Sequence, residues 1–328
     1  MLPVRGALLG KGSFGVVYHA TDPVHGKVAI KVLQQRAGET AADWQVRKAD
    51  LLQEGQRLSE ATHPNVVRVF SIHDAGDEIM LVLEFCSGGA LERAYKTGPL
   101  GPNIVKAHMT DVALGLGALH ARGMLHRDIK PANILLDGAG RARLGDFGLV
   151  TNNIVLGYAS ANGYHDHLAI EIHQGKGTST KTDIWALGMT TYRLLHGHHW
   201  YQAGPLPRML VPSGRFASKL PWLPHVPKAW RRLIRKTMHD DSSKRFQTTQ
   251  HVLDAFADLP VLSDWTVGLD DIKVEWTCLR KDRRVDVYLD RASGRWKAMS
   301  HPLEKGKTRT LEIGDKLAKL EAFFEQFK

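Results

Sequence analysis

The sequence predicts an α+β protein in which a β-rich lobe precedes a helical lobe and a smaller α+β unit follows. Up to residue 85, short apolar strands alternate with turns that contain glycine or proline, as in antiparallel sheets. Beyond that point apolar residues recur at helical spacing, until alternating strands return near the end of the chain. We therefore expect a domain at residues 1–259, with lobes at 1–85 and 86–259, and a separate unit at 260–328.

The first lobe begins as a β-meander. A glycine-rich bend and an Asp-Pro turn separate its first three strands, and Leu51, Leu52 and Leu58 then follow at helical spacing. The segment His63-Pro64-Asn65 ends that helix, because proline cannot continue it. In chain order the expected elements are strands 4–9, 16–20 and 27–33, a helix within 40–59, and strands 66–72 and 79–85.

Helices dominate the second lobe, and the last unit is predicted to be a small β-β-β-α domain of unknown role. In that unit Ile272, Val274, Trp276 and Cys278 alternate with polar residues, which predicts one apolar strand face. Its amphipathic helix is expected to cover its own sheet, with docking on the preceding lobe or across a dimer as alternatives. The expected helices are 104–121, 182–195, 229–239, 248–258 and 314–327, and the expected strands are 272–279, 285–289 and 295–299.

Composition and charge describe an ordinary globular chain. Of its 328 residues, 43% are hydrophobic and 24% are charged, which is typical of packed proteins. The net charge of +10 could favour an acidic or phosphate-bearing partner, but no run of five basic residues occurs, so a solvated basic surface is the simpler interpretation. Cys86 and Cys278 form no CxxC pair, which argues against a zinc site. No window resembles a signal peptide or a membrane span, and we expect a cytoplasmic protein without membrane contact.

A glycine-rich segment lies between the first two strands. Gly10, Gly12 and Gly15 match the spacing G-x-G-x-x-G, and glycine allows backbone N–H groups to approach phosphates closely. Because a strand follows instead of a helix, the motif argues against a dinucleotide-binding fold. A tight turn between strands would explain the glycines equally well.

A lysine in an apolar strand is the second candidate. Lys31 ends the run Val28-Ala29-Ile30-Lys31, and burying its charge would require a partner. Glu54 on the following helix is the expected carboxylate, in preference to Asp50 or Glu60. The alternative is a lysine exposed at a strand edge.

The segment His126 to Asn133 is far more specific. Asp128, Lys130 and Asn133 can converge there as a carboxylate that accepts a hydroxyl proton, a cation near a phosphoryl group and an amide oxygen that holds a metal. A second carboxylate follows in Asp146-Phe147-Gly148. Phosphoryl transfer needs this division of roles, because the phosphate oxygens are neutralised while the acceptor hydroxyl is aligned.

With these motifs in order, residues 4–259 resemble the eukaryotic-like (Hanks-type) serine/threonine protein kinases, and the chain resembles bacterial or phage-encoded members. The resemblance implies a bilobal kinase fold, ATP and Mg²⁺ as cofactors, and a protein substrate. It implies that Asp128 is the catalytic base, that Lys130 contacts the γ-phosphate, that Lys31 pairs with Glu54, and that Asn133 and Asp146 hold Mg²⁺. The implied nucleotide contacts are Leu9, Gly10, Lys11, Gly12, Ser13, Phe14, Gly15, Val17, Ala29, Lys31, Glu84, Cys86 and Leu135.

The helical lobe both supports the resemblance and departs from it. Asp183 stands where the family has an aspartate that binds the catalytic-loop backbone, and Arg245 where a buried arginine pairs with a glutamate, here Glu171. Ile170 replaces the proline usual before that glutamate, and Tyr164 replaces a threonine, so the substrate-binding segment is atypical.

The segment between Asp146 and Glu171 is short and poor in threonine. Arg127 would receive an activating phosphate in the family. We therefore hypothesise weak control by autophosphorylation. The candidate hydroxyls are Thr151, Tyr158, Ser160 and Tyr164.

Other functions were weighed against this prediction. A pseudokinase or nucleotide-binding regulatory scaffold would share the fold without phosphoryl transfer, and a small-molecule kinase would share the fold with another acceptor. Aromatic and arginine side chains interleave in residues 260–328, as in some RNA-binding domains, but a small core with a charged surface is the simpler interpretation and nucleic acid is not expected. A regulatory partner that binds through residues 260–328 is a further hypothesis.

Overall fold

The computed structural model describes residues 3–12, 15–145 and 164–327. The first lobe is a five-stranded antiparallel sheet with strand order β1-β2-β3-β5-β4 and one helix against it. Its elements are β1 (Arg5–Gly12), β2 (Gly15–Asp22), β3 (Gly26–Gln34), α1 (Ala41–Glu60), β4 (Val69–Asp74) and β5 (Glu78–Glu84). The β-meander and the helix predicted from the sequence are confirmed.

Alternation in β3 gives its two faces different roles. Val28, Ile30 and Val32 point into a small core on one side of the sheet, while the intervening residues Ala29 and Lys31 point to the other side, since side chains alternate along a strand. Leu33, the next residue on this second side, belongs to the main core together with Leu51 and Leu58 of α1. The register therefore places Ala29 and Lys31 on the side of the sheet that α1 covers.

Helix α1 is fixed at its start and along one face. The side-chain hydroxyl of Thr40 accepts a hydrogen bond from the backbone N–H of Asp43, which satisfies one of the free donors at a helix N-terminus. At Gly55 the helix approaches β4 so closely that a Cβ atom would lie 2.3 Å from Cδ1 of Ile72. This close packing sets the distance between α1 and the sheet.

The second lobe is helical apart from a three-stranded sheet of order β6-β7-β8. Its long helix α5 breaks at Gly197, where φ is 74° and an added Cβ would lie 2.6 Å from the backbone of Gly98. Only glycine combines that conformation with that contact. In chain order the elements are β6 (Gly89–Ala90), α2 (Leu91–Thr97), α3 (Pro102–His120), β7 (Ile134–Leu136), β8 (Ala142–Leu144), α4 (Ile170–His173), α5 (Thr180–Gln202), α6 (Pro207–Leu210), α7 (Phe216–Lys219), α8 (Lys228–Thr237) and α9 (Thr249–Ala257).

The last unit has a five-stranded antiparallel sheet, where the sequence predicted three strands. The sequence missed the two edge strands: β9 is only five residues long, and β13 is exposed along almost its whole length, so neither shows a long apolar alternation. Ile272, expected on the apolar face, is 71% exposed because the strand begins one residue later. The elements are β9 (Trp265–Leu269), β10 (Lys273–Leu279), β11 (Arg283–Asp290), β12 (Trp296–Pro302), β13 (Arg309–Gly314) and α10 (Leu317–Gln326).

Helix α10 covers the sheet of its own unit, as predicted. The ring of Phe324 lies 5.1 Å from those of Trp265 and Trp276, and Phe323 lies 6.0 Å from Trp296. These aromatic residues form the core between helix and sheet. The alternative that this helix docks on the preceding lobe also holds in part, because α10 contacts the helical lobe as well.

Two polar contacts and one aromatic contact join α10 to the helical lobe. Glu321 accepts a hydrogen bond from Arg231 at 2.7 Å, and Glu325 accepts one from the backbone N–H of Lys228 at 3.0 Å, at the first turn of α8. The imidazole of His225 lies 6.1 Å from the Phe324 ring. The last unit is therefore built onto the helical lobe through a shared core. None of the helices within the described ranges is long and apolar enough to cross a bilayer.

Replacing Phe324 by alanine is expected to lower the free energy of unfolding by about 3 to 5 kcal/mol, because a large buried ring leaves a cavity. Phe324 is 7% exposed, whereas Leu317 on the same helix is 52% exposed. Leu317→Ala is thus the matched control and should cost well under 1 kcal/mol. Urea unfolding followed by tryptophan fluorescence measures both, and equal losses would contradict the shared core.

Candidate active site

A buried aspartate in α5 holds the segment that carries the predicted catalytic residues. Asp183, 1% exposed, accepts hydrogen bonds from the backbone N–H groups of His126 at 2.9 Å and Arg127 at 2.7 Å. It also lies 2.8 Å from Nε2 of His120. Arg127 has a φ of 67°, a conformation that is costly outside glycine, and its bond to Asp183 helps to hold it. The predicted role of Asp183 is confirmed.

Asp128, Lys130 and Asn133 come together as predicted. The Asp128 atom Oδ2 accepts hydrogen bonds from Lys130 Nζ and from Asn133 Nδ2, each at 2.7 Å. All three residues are at least nine-tenths buried, with exposures of 5%, 6% and 3%. Within the described ranges, Asp128 Oδ1 accepts no hydrogen bond. One carboxylate oxygen is therefore held by two donors, and the other is not.

Asn133 is suited to hold a metal ion. Its amide nitrogen donates to both Oδ2 and the backbone oxygen of Asp128, at 2.7 and 2.8 Å, which uses both amide hydrogens. The amide oxygen remains, and Mg²⁺ prefers such oxygen ligands. Asp146, the second predicted ligand, lies outside the described residues, and within the part of the chain that the structure describes no group of three His, Cys, Asp or Glu residues could hold a metal.

The glycine-rich segment joins β1 to β2 above this site. Gly15 has a φ of 134°, and a Cβ there would lie 2.2 Å from the backbone oxygen of Val32, so glycine is required. Gly10 and Gly12 have no atom within 4 Å of an added Cβ, which leaves their backbone open to a bound phosphate. The flanking Leu9 and Lys11 lie on β1 and are exposed. Ser13 and Phe14 are outside the described residues.

The other residues that the resemblance implies as nucleotide contacts lie on neighbouring elements. Val17 on β2 pairs with Lys31 on β3, and Ala29 on β3 is 8% exposed. Leu135 is on β7 in the other lobe. Glu84 ends β5, and Cys86 follows it in the connection between lobes.

The side chains of Glu84 and Cys86 in this connection are paired and neutral, respectively. The carboxylate of Glu84 forms an ion pair with Arg143 at 3.3 Å. Burial raises the pKa of the Cys86 thiol to about 12, so it stays neutral.

The predicted ion pair between Lys31 and Glu54 is not formed in this structure. Lys31 is 5% exposed on β3, but among the described residues no ion pair joins it to Glu54. Burial raises the pKa of Glu54 to about 7, and the charges of Arg127 and Arg57 oppose that rise. The sequence predicted a buried lysine on β3 and a carboxylate on α1. It could not predict the distance between α1 and the sheet, on which contact between the two side chains depends.

We expect Glu54 to make stability depend on pH. The pKa of Glu54 in the folded protein, about 7, exceeds the ordinary value of 4.5. The contribution of the Glu54 carboxyl group to the free energy of unfolding is therefore fully present below about pH 4.5 and is lost as the pH rises to about 7. Glu54→Gln should therefore match wild type near pH 5 and exceed its free energy of unfolding by about 1 to 2 kcal/mol at pH 8. Urea titrations across this range test it, with Glu60→Gln, an exposed position on the same helix, as control. A variant difference that does not change with pH would contradict it.

The predicted pair between Glu171 and Arg245 is confirmed. Two parallel hydrogen bonds of 2.6 and 2.7 Å join the guanidinium to the carboxylate, the strongest geometry for such a pair. Arg245 also donates to the backbone oxygen of His239 at 2.6 Å, and its side chain is fully buried. Ile170, in place of proline, packs at the edge of the main core. The substituted segment is thus still anchored to the helical lobe.

Sequence reasoning missed a chain of contacts that links this segment to the catalytic loop. Arg193 on α5 lies 2.6 Å from Nε2 of His167, and Nδ1 of His167 lies 3.5 Å from Thr190, which donates to the backbone oxygen of Ile129 at 3.0 Å. Since Arg193 can only donate, Nε2 is the acceptor and Nδ1 carries the hydrogen. Burial lowers the pKa of His167 well below its ordinary value, so the ring is neutral. The sequence showed that this segment departs from the family pattern, but it could not predict the contacts of His167 with Arg193 and Thr190 on α5.

The candidate hydroxyls Thr151, Tyr158 and Ser160 lie outside the described residues, as does the side chain of Tyr164. The hypothesis about autophosphorylation therefore stays a prediction.

Comparison with known proteins agrees with this geometry. A family model described as the protein kinase domain matches residues 4–257. The chain belongs to this family. It has the bilobal kinase fold, and the small unit that follows adds a second five-stranded sheet.

Several individual proteins are similar in sequence to this chain. The serine/threonine-protein kinase pkn2 of Myxococcus xanthus is 33% identical over 277 residues, which is 80% of this chain and 33% of that protein. The cytokinesis protein sepH of Aspergillus terreus is 35% identical over 62% of this chain and 15% of its own length. The mitogen-activated protein kinase kinase kinase ANP1 of Arabidopsis thaliana is 32% identical over 59% of this chain and 30% of its own length. The chain therefore spans a third or less of these relatives.

Proposed function

We propose that this protein is an ATP-dependent serine/threonine protein kinase that transfers the γ-phosphoryl group to a protein hydroxyl with the help of Mg²⁺. The observation that carries the proposal is the Asp128 carboxylate. Its Oδ2 is held by Lys130 and Asn133 at 2.7 Å each, while its Oδ1 is open to a hydroxyl. Family membership supports the same activity.

In the proposed reaction, Asp128 orients the acceptor hydroxyl through Oδ1 and accepts its proton as the new O–P bond forms. The bond between the γ-phosphorus and the bridging oxygen breaks, and ADP leaves. Lys130 offers its positive charge both to Asp128 and to the oxygens of the transferred group. Lys31 neutralises the remaining nucleotide phosphates from β3. Asn133, with Asp146, would hold Mg²⁺, which supplies further charge neutralisation when bound.

The substrate class follows from the loop and from the relatives. Lys130 follows Asp128 by two residues, which is the form of this loop in the serine/threonine members that the sequence resembles. The relative pkn2 is itself named a serine/threonine-protein kinase. We therefore propose serine or threonine, not tyrosine, as the acceptor.

A transfer assay tests the proposal. The purified chain is incubated with γ-labelled ATP, Mg²⁺ and three peptides that differ only in carrying serine, threonine or tyrosine. Label on the serine or threonine peptide, lost when Mg²⁺ is chelated, is the expected result. Nucleotide binding without transfer to any protein or peptide would favour a regulatory scaffold and would refute the proposal.

A further inference from the structure

A cleft lies at the junction of the helical lobe and the last unit. Its volume is about 590 Å³, and it lies between α8 on one side and the start of the last unit with α10 on the other. Residues of both units line it, so a molecule bound there would touch both at once. It is remote from Asp128, since neither the catalytic loop nor the first lobe contributes to its lining.

One wall of the cleft is a row of positive charges. Lys228, Arg232 and Arg235 line it from α8, at spacings that put them on one face of the helix over a rise of about 10 Å. Within the described residues none of these three side chains has a carboxylate partner. Arg231 beside them is already paired with Glu321 at 2.7 Å. Four basic residues thus line the cleft against one acidic residue, Glu325, which leaves an excess of positive charge.

The opposite wall is apolar. Apart from one carboxylate, it consists of Pro260 and Leu262 from the chain that enters the last unit and of Phe324 from α10. The carboxylate is Glu325, whose Oε1 accepts a hydrogen bond from the backbone N–H of Lys228 at 3.0 Å. The cleft therefore presents cations on one side and hydrocarbon on the other. A ligand that matches it needs a row of anionic groups on one side and apolar groups on the other.

We propose that this cleft binds an extended acidic peptide segment of a protein partner. Side chains of an extended peptide alternate in direction and repeat on one side every ~7 Å, close to the rise of about 6 Å from Lys228 to Arg232 along a helix. Acidic side chains at alternate positions would pair with the α8 row. The intervening apolar side chains would pack on Pro260 and Leu262, which are exposed and half-buried, respectively.

Nucleic acid fits the cleft less well. Proteins that bind single strands offer exposed aromatic rings on which bases stack. The aromatic residue of this cleft, Phe324, is 7% exposed and its ring is packed edge-on against Trp265 at 5.1 Å. The inference goes beyond the proposed kinase activity and does not depend on it.

Fluorescence anisotropy with the full chain tests the inference. The probe is a labelled eight-residue peptide of alternating Glu and Leu, which carries no hydroxyl and cannot be phosphorylated. Wild type should bind it, and the double variant Arg232→Gln/Arg235→Gln should bind it about tenfold more weakly at low salt. Both positions are exposed, and circular dichroism verifies that the variants fold.

The control is Lys236→Gln, which removes one charge from the same helix outside the cleft lining. The Lys236 ammonium lies 4.4 Å from the Phe246 ring. Affinity within twofold of wild type is the expected result for this variant. No binding by wild type, an equal loss in the control, or tighter binding of a single-stranded oligonucleotide of equal charge would each overturn the proposal.

Discussion

The variant Asp128→Asn is expected to transfer phosphate about 10³-fold more slowly than wild type while it still binds ATP. Asparagine preserves the shape of the side chain but cannot accept the hydroxyl proton. Its amide also alters the pattern of acceptors that Lys130 and Asn133 use at 2.7 Å. The measurement is kcat from initial rates of label transfer, together with equilibrium binding of a fluorescent ATP analogue.

The control for this variant is Asp271→Asn. The Asp271 side chain is 90% exposed in the last unit, and its Oδ1 lies 3.1 Å from Nε2 of His199. Removing this charge should leave kcat within about twofold of wild type, since exposed pairs contribute little. If Asp128→Asn kept most of its activity, another group would have to accept the proton, and the role given to Asp128 would be wrong.

The variant Arg245→Ala is expected to lose about 3 to 5 kcal/mol of unfolding free energy, because it leaves the Glu171 carboxylate without its partner in a buried place. The Arg245 side chain is 0% exposed, and Glu171 is 14% exposed. The backbone oxygen of His239 also loses a donor at 2.6 Å. Urea unfolding at pH 7.5 measures the loss.

The neighbouring residue supplies a matched control. Lys244 has a 65% exposed side chain and a loose contact of 3.8 Å with Asp241, so Lys244→Ala should change stability by less than about 0.5 kcal/mol. Arg245→Lys should recover only part of the loss, since an ammonium cannot form two parallel hydrogen bonds. Full recovery by lysine would show that charge alone, not the paired geometry, holds the segment.

The catalytic loop was predictable because its chemistry is concentrated in a short stretch. Asp128, Lys130 and Asn133 lie within six residues, so their convergence depends on local backbone more than on distant packing. The roles of Asp183 and Arg245 were predictable because the resemblance to the kinase family assigned a contact to each of these positions. In each case the structure supplied the distances that the sequence lacked.

Contacts between distant segments were harder to predict. The missing pair between Lys31 and Glu54 depends on how far α1 stands from the sheet, which the close approach of Gly55 to Ile72 helps to define. The link from His167 to Arg193 joins two segments whose register no local pattern reveals. Edge strands such as β13 were not predicted because their side chains face water and therefore show no apolar alternation.

The shared core at α10 has a consequence for the timing of synthesis. Chains grow at about 5 to 20 residues per second, so Phe324 follows the end of α9 by roughly 3 to 14 seconds. Until then His225 and the first turn of α8 lack the partners that α10 brings them. We expect a nascent chain to complete its first lobe early and to gain a fully stable helical lobe only when α10 has left the ribosome.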